Sequence, residues 1–130
     1  MTDEGRKVSL KDQPSFRTLS APDAYPRTTS SPIRYVPILM GDEVIGYLWA
    51  AVTDDAAHYV AREGAGDAGR NGAVAWIQRL RWAKANDLTP VRALTHWAGD
   101  PEDARAGKVS SAEPLELPSL NALKALADGD

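Results

Sequence analysis

The sequence of 130 residues contains no cysteine, and this absence excludes several kinds of site at once. Disulfides, zinc–thiolate sites, iron–sulfur clusters and cysteine nucleophiles all require a thiol. A chain without thiols suits a reducing compartment, so we expect a cytoplasmic protein.

The sequence also leads us to expect no secretory leader and no membrane-spanning apolar run. The first residues are polar and lack the apolar core of a signal peptide. The longest apolar tract, residues 33–52, is interrupted by Arg34, Pro37, Asp42 and Glu43, which argues against a membrane span. We therefore expect no membrane partner.

Positive charge is scarce in the last part of the chain. The net charge is −3, and residues 98–130 carry three basic and seven acidic side chains. Because nucleic-acid binding depends on neutralising phosphates, this balance disfavours general nucleic-acid affinity. The apolar fraction of 43% and the charged fraction of 25% are those of an ordinary globular chain, whose length fits one core.

The tract from Ile33 to Val52 has the pattern of a β-hairpin. Two runs of β-branched and aromatic residues meet at Gly41-Asp42, which suits a two-residue turn. This turn predicts that Met40 pairs with Glu43, and that Leu39–Val44, Ile38–Ile45 and Pro37–Gly46 follow. Proline cannot donate to a ladder, so the first strand should be a sheet edge near Pro37.

Both faces of this hairpin are largely apolar. Alternation assigns Val36, Ile38, Met40, Ile45, Tyr47 and Trp49 to one face, and Ile33, Tyr35, Leu39, Val44 and Leu48 to the other. A two-stranded hairpin is marginal alone, so we expect helices or another chain to cover both faces.

The rest of the chain predicts an arm and several helices. Residues 1–32 are rich in Pro, Ser and Thr, which predicts a disordered N-terminal arm before a single α+β domain over 33–130. Caps and periodicity predict a helix over 54–63, a flexible glycine loop over 64–72, and further helices over 73–86, over 90–98 and after Ser119, with Thr89 and Pro90 starting the helix over 90–98. Residues 100–108 are predicted to form an exposed polar loop. The predicted fold is α+β, a small antiparallel sheet centred on the hairpin and packed by three to four helices. The sequence leaves open whether residues 109–117 form a further strand that pairs with the hairpin.

Two patterns suggest chemistry, and each has a simpler interpretation. Asp54 and His58 at i, i+4 on a helix would suit an acid–base pair or two metal ligands, but Asp54 also suits a helix start and no third group is evident. Gly64, Gly66 and Gly69 satisfy G-x-G-x-x-G, but the predicted element before them is a helix rather than a strand. We therefore predict no cofactor, no metal and no catalytic residues, and retain only an anion contact at Arg70.

The predicted helices over 73–86 and 90–98 resemble a helix-turn-helix in spacing. Phosphate contacts would then come from the cations Arg79, Arg81, Lys84 and Arg92. The second helix offers few polar side chains for reading bases, so core packing explains it better.

Four tryptophans in a small domain leave room for some at the surface. We predict an interaction surface formed by Tyr47, Trp49 and Trp82, which requires that they are not all buried within one chain. The leading functional hypothesis is a non-catalytic interaction or regulatory module that binds an unknown protein partner or self-associates through the hairpin. The alternatives are the nucleic-acid-binding helix-turn-helix and a small enzyme or metal site at Asp54 and His58.

Overall fold

The computed structural model describes residues 24–110 and 113–129, and its sheet is built around the predicted hairpin. The antiparallel strands in this part of the chain are β1 (Ile33–Met40), β2 (Glu43–Ala51), β3 (Ala57–Ala61), β4 (Lys108–Val109) and β5 (Leu115–Leu117). The helices are α1 (Asp67–Ala85), α2 (Pro90–His96) and α3 (Leu120–Asp128), with a 3₁₀ turn at Glu63–Ala65. The predicted α+β class is confirmed.

The hairpin turn is confirmed, but the register beyond it is shifted. Gly41 has a φ of +62°, Met40 pairs with Glu43, and Leu39 pairs with Val44. A β-bulge then leaves Ile45 without a partner in β1, so the next pairs are Ile38–Gly46 and Pro37–Tyr47. The predicted pairs Ile38–Ile45 and Pro37–Gly46 are therefore wrong by one residue on β2.

The bulge changes which side chains of β2 share a face. Ile45 and Leu48 pack with Val36 and Ile38, while Tyr47 and Trp49 pack on the opposite face. The predicted placement of Tyr47, Trp49 and Leu48 is wrong because one extra residue inverts the alternation after it.

Close packing explains why the bulge includes Gly46. A Cβ built on Gly46 would lie 2.2 Å from the hydroxyl oxygen of Tyr59, so no larger residue fits while that ring stays in place. A glycine inside a strand pattern is a recognised signal of a bulge or a close approach.

Strand β1 is not a sheet edge. The sheet order is β3–β2–β1, and the far side of β1 pairs with both β4 and β5. The two short strands leave a gap beside Val36 and Pro37, although Ser110 N donates to Pro37 O at 3.0 Å. The prediction that β1 is an edge strand is therefore wrong. Residues 108–109 and 115–117 form two short strands that pair with β1, which answers the open question of an added strand.

The predicted helix over 54–63 is also wrong, because this segment forms a turn and then β3. Buried Ala57 and Tyr59 alternate with half-buried His58 and Val60, which is the period of a strand. Ala57, Tyr59 and Val60 suggested the apolar side of a helix, but in the structure they belong to this strand.

The predicted flexible loop over 64–72 is largely helix, since α1 begins at Asp67. Gly69 and Gly72 are buried, and a Cβ on Gly69 would lie 2.7 Å from Ile45 O. These glycines allow α1 to approach the sheet closely and do not confer flexibility here.

The two predicted helix starts in the second half are confirmed. Thr89 Oγ accepts from Arg92 N at 3.2 Å at the start of α2, with Pro90 at the first helical position. Ser119 Oγ accepts from Ala122 N at 3.1 Å at the start of α3.

Helices cover both faces of the sheet, as the two apolar faces predicted. The face under α1 and α2 buries residues that include Trp76, Leu80 and Leu94, and the face under α3 buries Trp49 and Leu123.

Residues 1–23 of the predicted arm lie outside the described residues. Within residues 24–32 of that predicted arm, Tyr25 and Ser31 are buried, and Tyr25 donates to Leu88 O at 2.6 Å.

Candidate interaction site

The structure does not bring the three predicted interaction residues together. Tyr47 and Trp49 are 5% and 1% exposed and belong to the cluster under α3, whereas Trp82 is 49% exposed on α1. The shifted register of β2 places Tyr47 and Trp49 on the face beneath α3, and the cover on both faces of the sheet means that either register would bury them. Only Trp82 of this set is available to a partner.

Trp82 is the exposed member of an aromatic cluster between α1 and the end of α2. Its ring centroid lies 5.1 Å from that of His96 and 6.1 Å from that of Trp97. The His96 and Trp97 rings meet nearly at right angles at 4.8 Å, and Trp97 meets buried Trp76 at 5.5 Å. Three of these four contacts are edge-to-face and the Trp82–His96 pair is tilted, so the rings pack against one another as one cluster.

The cluster is anchored from below by Trp76. This side chain is 0% exposed, and its indole N–H donates to Ala106 O at 2.9 Å. The bond ties the loop after α2 to the middle of α1. Trp76 therefore contacts both the aromatic cluster and the loop that contains Ala106.

A groove of about 690 Å³ lies between this wall and the loop. The residues lining it come from α1, the end of α2 and the loop over 103–105: Ala75, Gln78, Arg79, Trp82, His96, Trp97, Asp103, Ala104 and Arg105. The predicted exposed polar loop over 100–108 is thus one wall of the groove, with Ala106 and Gly107 buried behind it.

Asp103 shapes that loop. Its Oδ2 accepts from Arg105 N at 2.9 Å and Ala106 N at 2.8 Å, and its backbone pairs with Gly107. These backbone hydrogen bonds, with smaller contributions from the charges of Arg79 and Arg105, hold the pKa of Asp103 below its usual value. The carboxylate is therefore ionised at neutral pH and engaged within its own loop.

The groove also carries two guanidinium groups. Arg79 Cζ lies 4.7 Å from the ring centroid of Trp76 and 5.8 Å from that of Trp97, within cation–π range. Arg105 lies on the opposite wall. Among the residues lining the groove in the described chain, Asp103 is the only acid, so the lining has one more positive charge than negative.

Asp54 and His58 do not share a helical face, because the predicted helix is absent. Asp54 lies in the turn before β3 and accepts from the Thr29 hydroxyl, while His58 lies half-buried in β3. Burial and then the charge of Arg27 lower the pKa of His58. Residues 24–110 and 113–129 contain no group of three or more metal-ligating side chains suited to a metal ion.

The predicted basic set does not form one face. Arg79 lines the groove, while Arg81 lines a separate cavity beside His58. Lys84 is paired with Asp55, and Arg92 lies exposed on α2. A helix-turn-helix protein needs cations that are aligned along the nucleic-acid backbone. These four cations lie at different parts of the surface and are not aligned in this way.

The glycine motif follows a strand, which is one of the structural features that we expected it to lack. Strand β3 does precede Gly64, Gly66 and Gly69, but it lies in an antiparallel sheet and not in a βαβ unit. Arg70, the predicted anion contact, is exposed and paired with Asp67 in the first turn of α1. The positive end of the helix dipole therefore already faces a carboxylate.

Of the residues that line the groove, only Arg79 and Trp82 were predicted as members of a site, and His96, Trp97 and Arg105 are among those that were missed. Trp97 is the residue that ends α2, where a large aromatic next to a histidine could have indicated a surface cluster. Arg105 gave no such signal, because its place opposite α1 depends on the loop fold.

Comparison with known proteins gives no match to a family model, a curated protein or a solved structure. In the described residues, every helix is too short or too polar to cross a membrane.

Proposed function

We propose that this chain is a non-catalytic interaction module that binds a partner protein through the groove beside Trp82. The observation that carries the proposal is the half-exposed Trp82 ring, held against His96 and Trp97 at the mouth of the groove. A large aromatic side chain that remains exposed yet is held by packing is the kind of residue that dominates protein interfaces.

The lining indicates the chemistry of the partner. The aromatic wall suits an apolar or aromatic side chain, and Arg79 and Arg105 suit a carboxylate next to it. We therefore propose a partner segment that presents an aromatic or aliphatic side chain beside Asp or Glu. The absence of cysteine supports a cytoplasmic location for this interaction.

Nucleic acid is the competing ligand, because bases also stack on aromatic and guanidinium groups. The loop that forms one wall carries exposed Asp100 and Glu102 besides Asp103, and the chain has a net charge of −3. A phosphate backbone that extended beyond the groove would meet these carboxylates, which favours a protein segment. Self-association through the hairpin faces has no support, since helices cover both faces.

The test is selection of peptides from a displayed random library against the full chain. We expect enriched peptides to combine an aromatic or aliphatic residue with Asp or Glu. Trp82→Ala should weaken their binding roughly tenfold or more, the loss typical of a central aromatic anchor. Val74→Ala is the matched control, because Val74 is 53% exposed on α1 but does not line the groove.

Two outcomes would reject the proposal. One is the absence of enriched peptides, or enrichment that Trp82→Ala leaves unchanged. The other is tighter binding of single-stranded oligothymidine than of any peptide, lost in Trp82→Ala, which would assign the groove to nucleic acid.

A further inference from the structure

The short strand β5 carries a large apolar side chain at the surface. Leu115 is 52% exposed, although β5 is held in the sheet by its pairing with β1. Leu115 lies opposite Tyr35, and Leu117, two residues further on, packs against the cluster under α3. Because alternate residues of a strand share a face, Leu115 lies on the α3 face of the sheet. Its exposure shows that α3 leaves this part of the face open.

A carboxylate accompanies this leucine. Pro114 disfavours helical backbone at Glu113, and in an extended chain residues 113 and 115 project to the same side. Glu113 is exposed and forms no ion pair within residues 24–110 and 113–129. Glu116 lies opposite Arg34, and the alternation of the strand places it on the other face. Residues 113–115 therefore present an aliphatic side chain beside an unpaired carboxylate.

This combination matches the groove beside Trp82. The aromatic wall of the groove suits an aliphatic side chain, and its two guanidinium groups suit one carboxylate. Arg79 and Arg105 form no ion pair with any described carboxylate. Asp103 cannot replace an incoming carboxylate, because its Oδ2 accepts from two backbone amides of its own loop. The two surfaces are thus complementary in charge.

We propose that the groove of one copy binds residues 113–115 of a second copy, so that the chain associates head to tail. The inference rests on the proposed function of the groove and names the chain itself as the partner. Leu115 lies on the α3 face in a strand bonded to β1, whereas the groove lies on the α1 side, so the segment does not enter the groove of its own chain. Because two different surfaces meet, the interface is heterologous, and it either closes into a ring or extends copy by copy.

Sedimentation velocity of the full chain over a concentration series measures this association. We expect the average mass to rise with concentration, and added salt to reduce the rise because the contact includes exposed charges. Leu115→Ser should weaken association roughly tenfold or more, since it removes an apolar side chain that the contact buries. Leu126→Ser is the matched control, because Leu126 is 38% exposed on α3. It should leave the association unchanged.

A second pair of variants tests the charge contact. Glu113→Gln should weaken association by a smaller factor than Leu115→Ser, because the aliphatic contact remains. Glu116→Gln removes an exposed carboxylate from the other face of the same strand and should have no effect. Equal effects of the two glutamate variants would reject the assignment of Glu113 to the groove.

Mixing two variants tests the head-to-tail arrangement. Trp82→Ala removes part of the groove but keeps the β5 segment, whereas Leu115→Ser removes the segment but keeps the groove. Neither variant alone should associate, and their equimolar mixture should form a one-to-one complex that does not grow further. Urea unfolding of each variant shows that the chain still folds.

Three results would overturn the inference: a chain that stays monomeric at every concentration, association that Leu115→Ser leaves unchanged, or a mixture that stays monomeric although the unaltered chain associates. Failure here is distinguishable from failure of the proposed function. If the chain is monomeric but displayed peptides bind it and Trp82→Ala abolishes their binding, the groove takes another protein. If neither peptides nor a second copy bind in a manner that depends on Trp82, both proposals are rejected.

Discussion

The two faces of the sheet are covered by helices in different ways. Under α1 and α2, three buried aromatic residues also bond to backbone carbonyls: Trp76 to Ala106, Tyr59 to Gly69 and Tyr25 to Leu88. Under α3, cover comes from the apolar face of one short helix, whose buried residues are Leu120, Leu123 and Ala127.

This difference explains why the candidate groove lies beside α1. A buried indole or phenol needs a hydrogen-bond partner, and here loops supply two of those partners. Trp76 thereby fixes the loop that forms one wall of the groove, and Tyr25 fixes the segment before β1 against the turn between α1 and α2. Within residues 24–110 and 113–129, the α3 face buries apolar surface without a comparable bond from the side chain of Tyr35 or Trp49 to a loop.

The largest expected effect is on the α1 face, at Trp76. Trp76→Ala removes a fully buried side chain and its hydrogen bond to Ala106, so we expect a loss of about 3–5 kcal/mol in the free energy of unfolding. Urea unfolding measures it. Trp82→Ala, which truncates the 49% exposed ring on the same helix, should cost far less. Similar losses in both variants would contradict the anchoring role of Trp76.

A smaller and more local effect is expected on the α3 face, at Leu123. Leu123→Ala truncates a residue that is 0% exposed, which should cost about 2–3 kcal/mol. Because α3 is held mainly by apolar contacts, we expect hydrogen exchange to accelerate in α3 more than in α1. Leu126→Ala, at a position 38% exposed, is the control. Equal acceleration in both helices would show that the two faces unfold as one unit.

The sequence predicted those features that local chemistry determines. Gly41 at the turn, Thr89 before α2 and Ser119 before α3 act through bonds or dihedral angles within a few residues, and all three are found as expected. The need for cover on both hairpin faces also followed from the apolar pattern. These features require no knowledge of distant contacts.

The errors arose where distant parts of the chain decide the conformation. Gly46 marks a bulge because the Tyr59 ring occupies the space beside it, and Gly69 lies in a helix because α1 packs against β2. The bulge in turn places Tyr47 and Trp49 on the face beneath α3, and because helices cover both faces of the sheet neither side chain reaches the surface. Of the candidate surface, Trp82 was recognised from the sequence and Trp97 beside His96 offered a signal, whereas Arg105 reaches the groove only through the loop fold.

The smallest expected effect compares the hydroxyl groups of two buried tyrosines, one on each face. Tyr59→Phe removes the contacts of its hydroxyl with Gly69 O at 3.0 Å and Ile45 O at 3.2 Å, and should cost about 1 kcal/mol. The cost stays modest because Arg62 N still donates to Ile45 O at 2.9 Å. Tyr35→Phe is the matched change under α3, where the Tyr35 hydroxyl has no hydrogen-bond partner among the described residues. Urea unfolding of both variants should therefore show a loss for Tyr59→Phe and little change for Tyr35→Phe, and equal losses would mean that polar anchoring does not distinguish the faces.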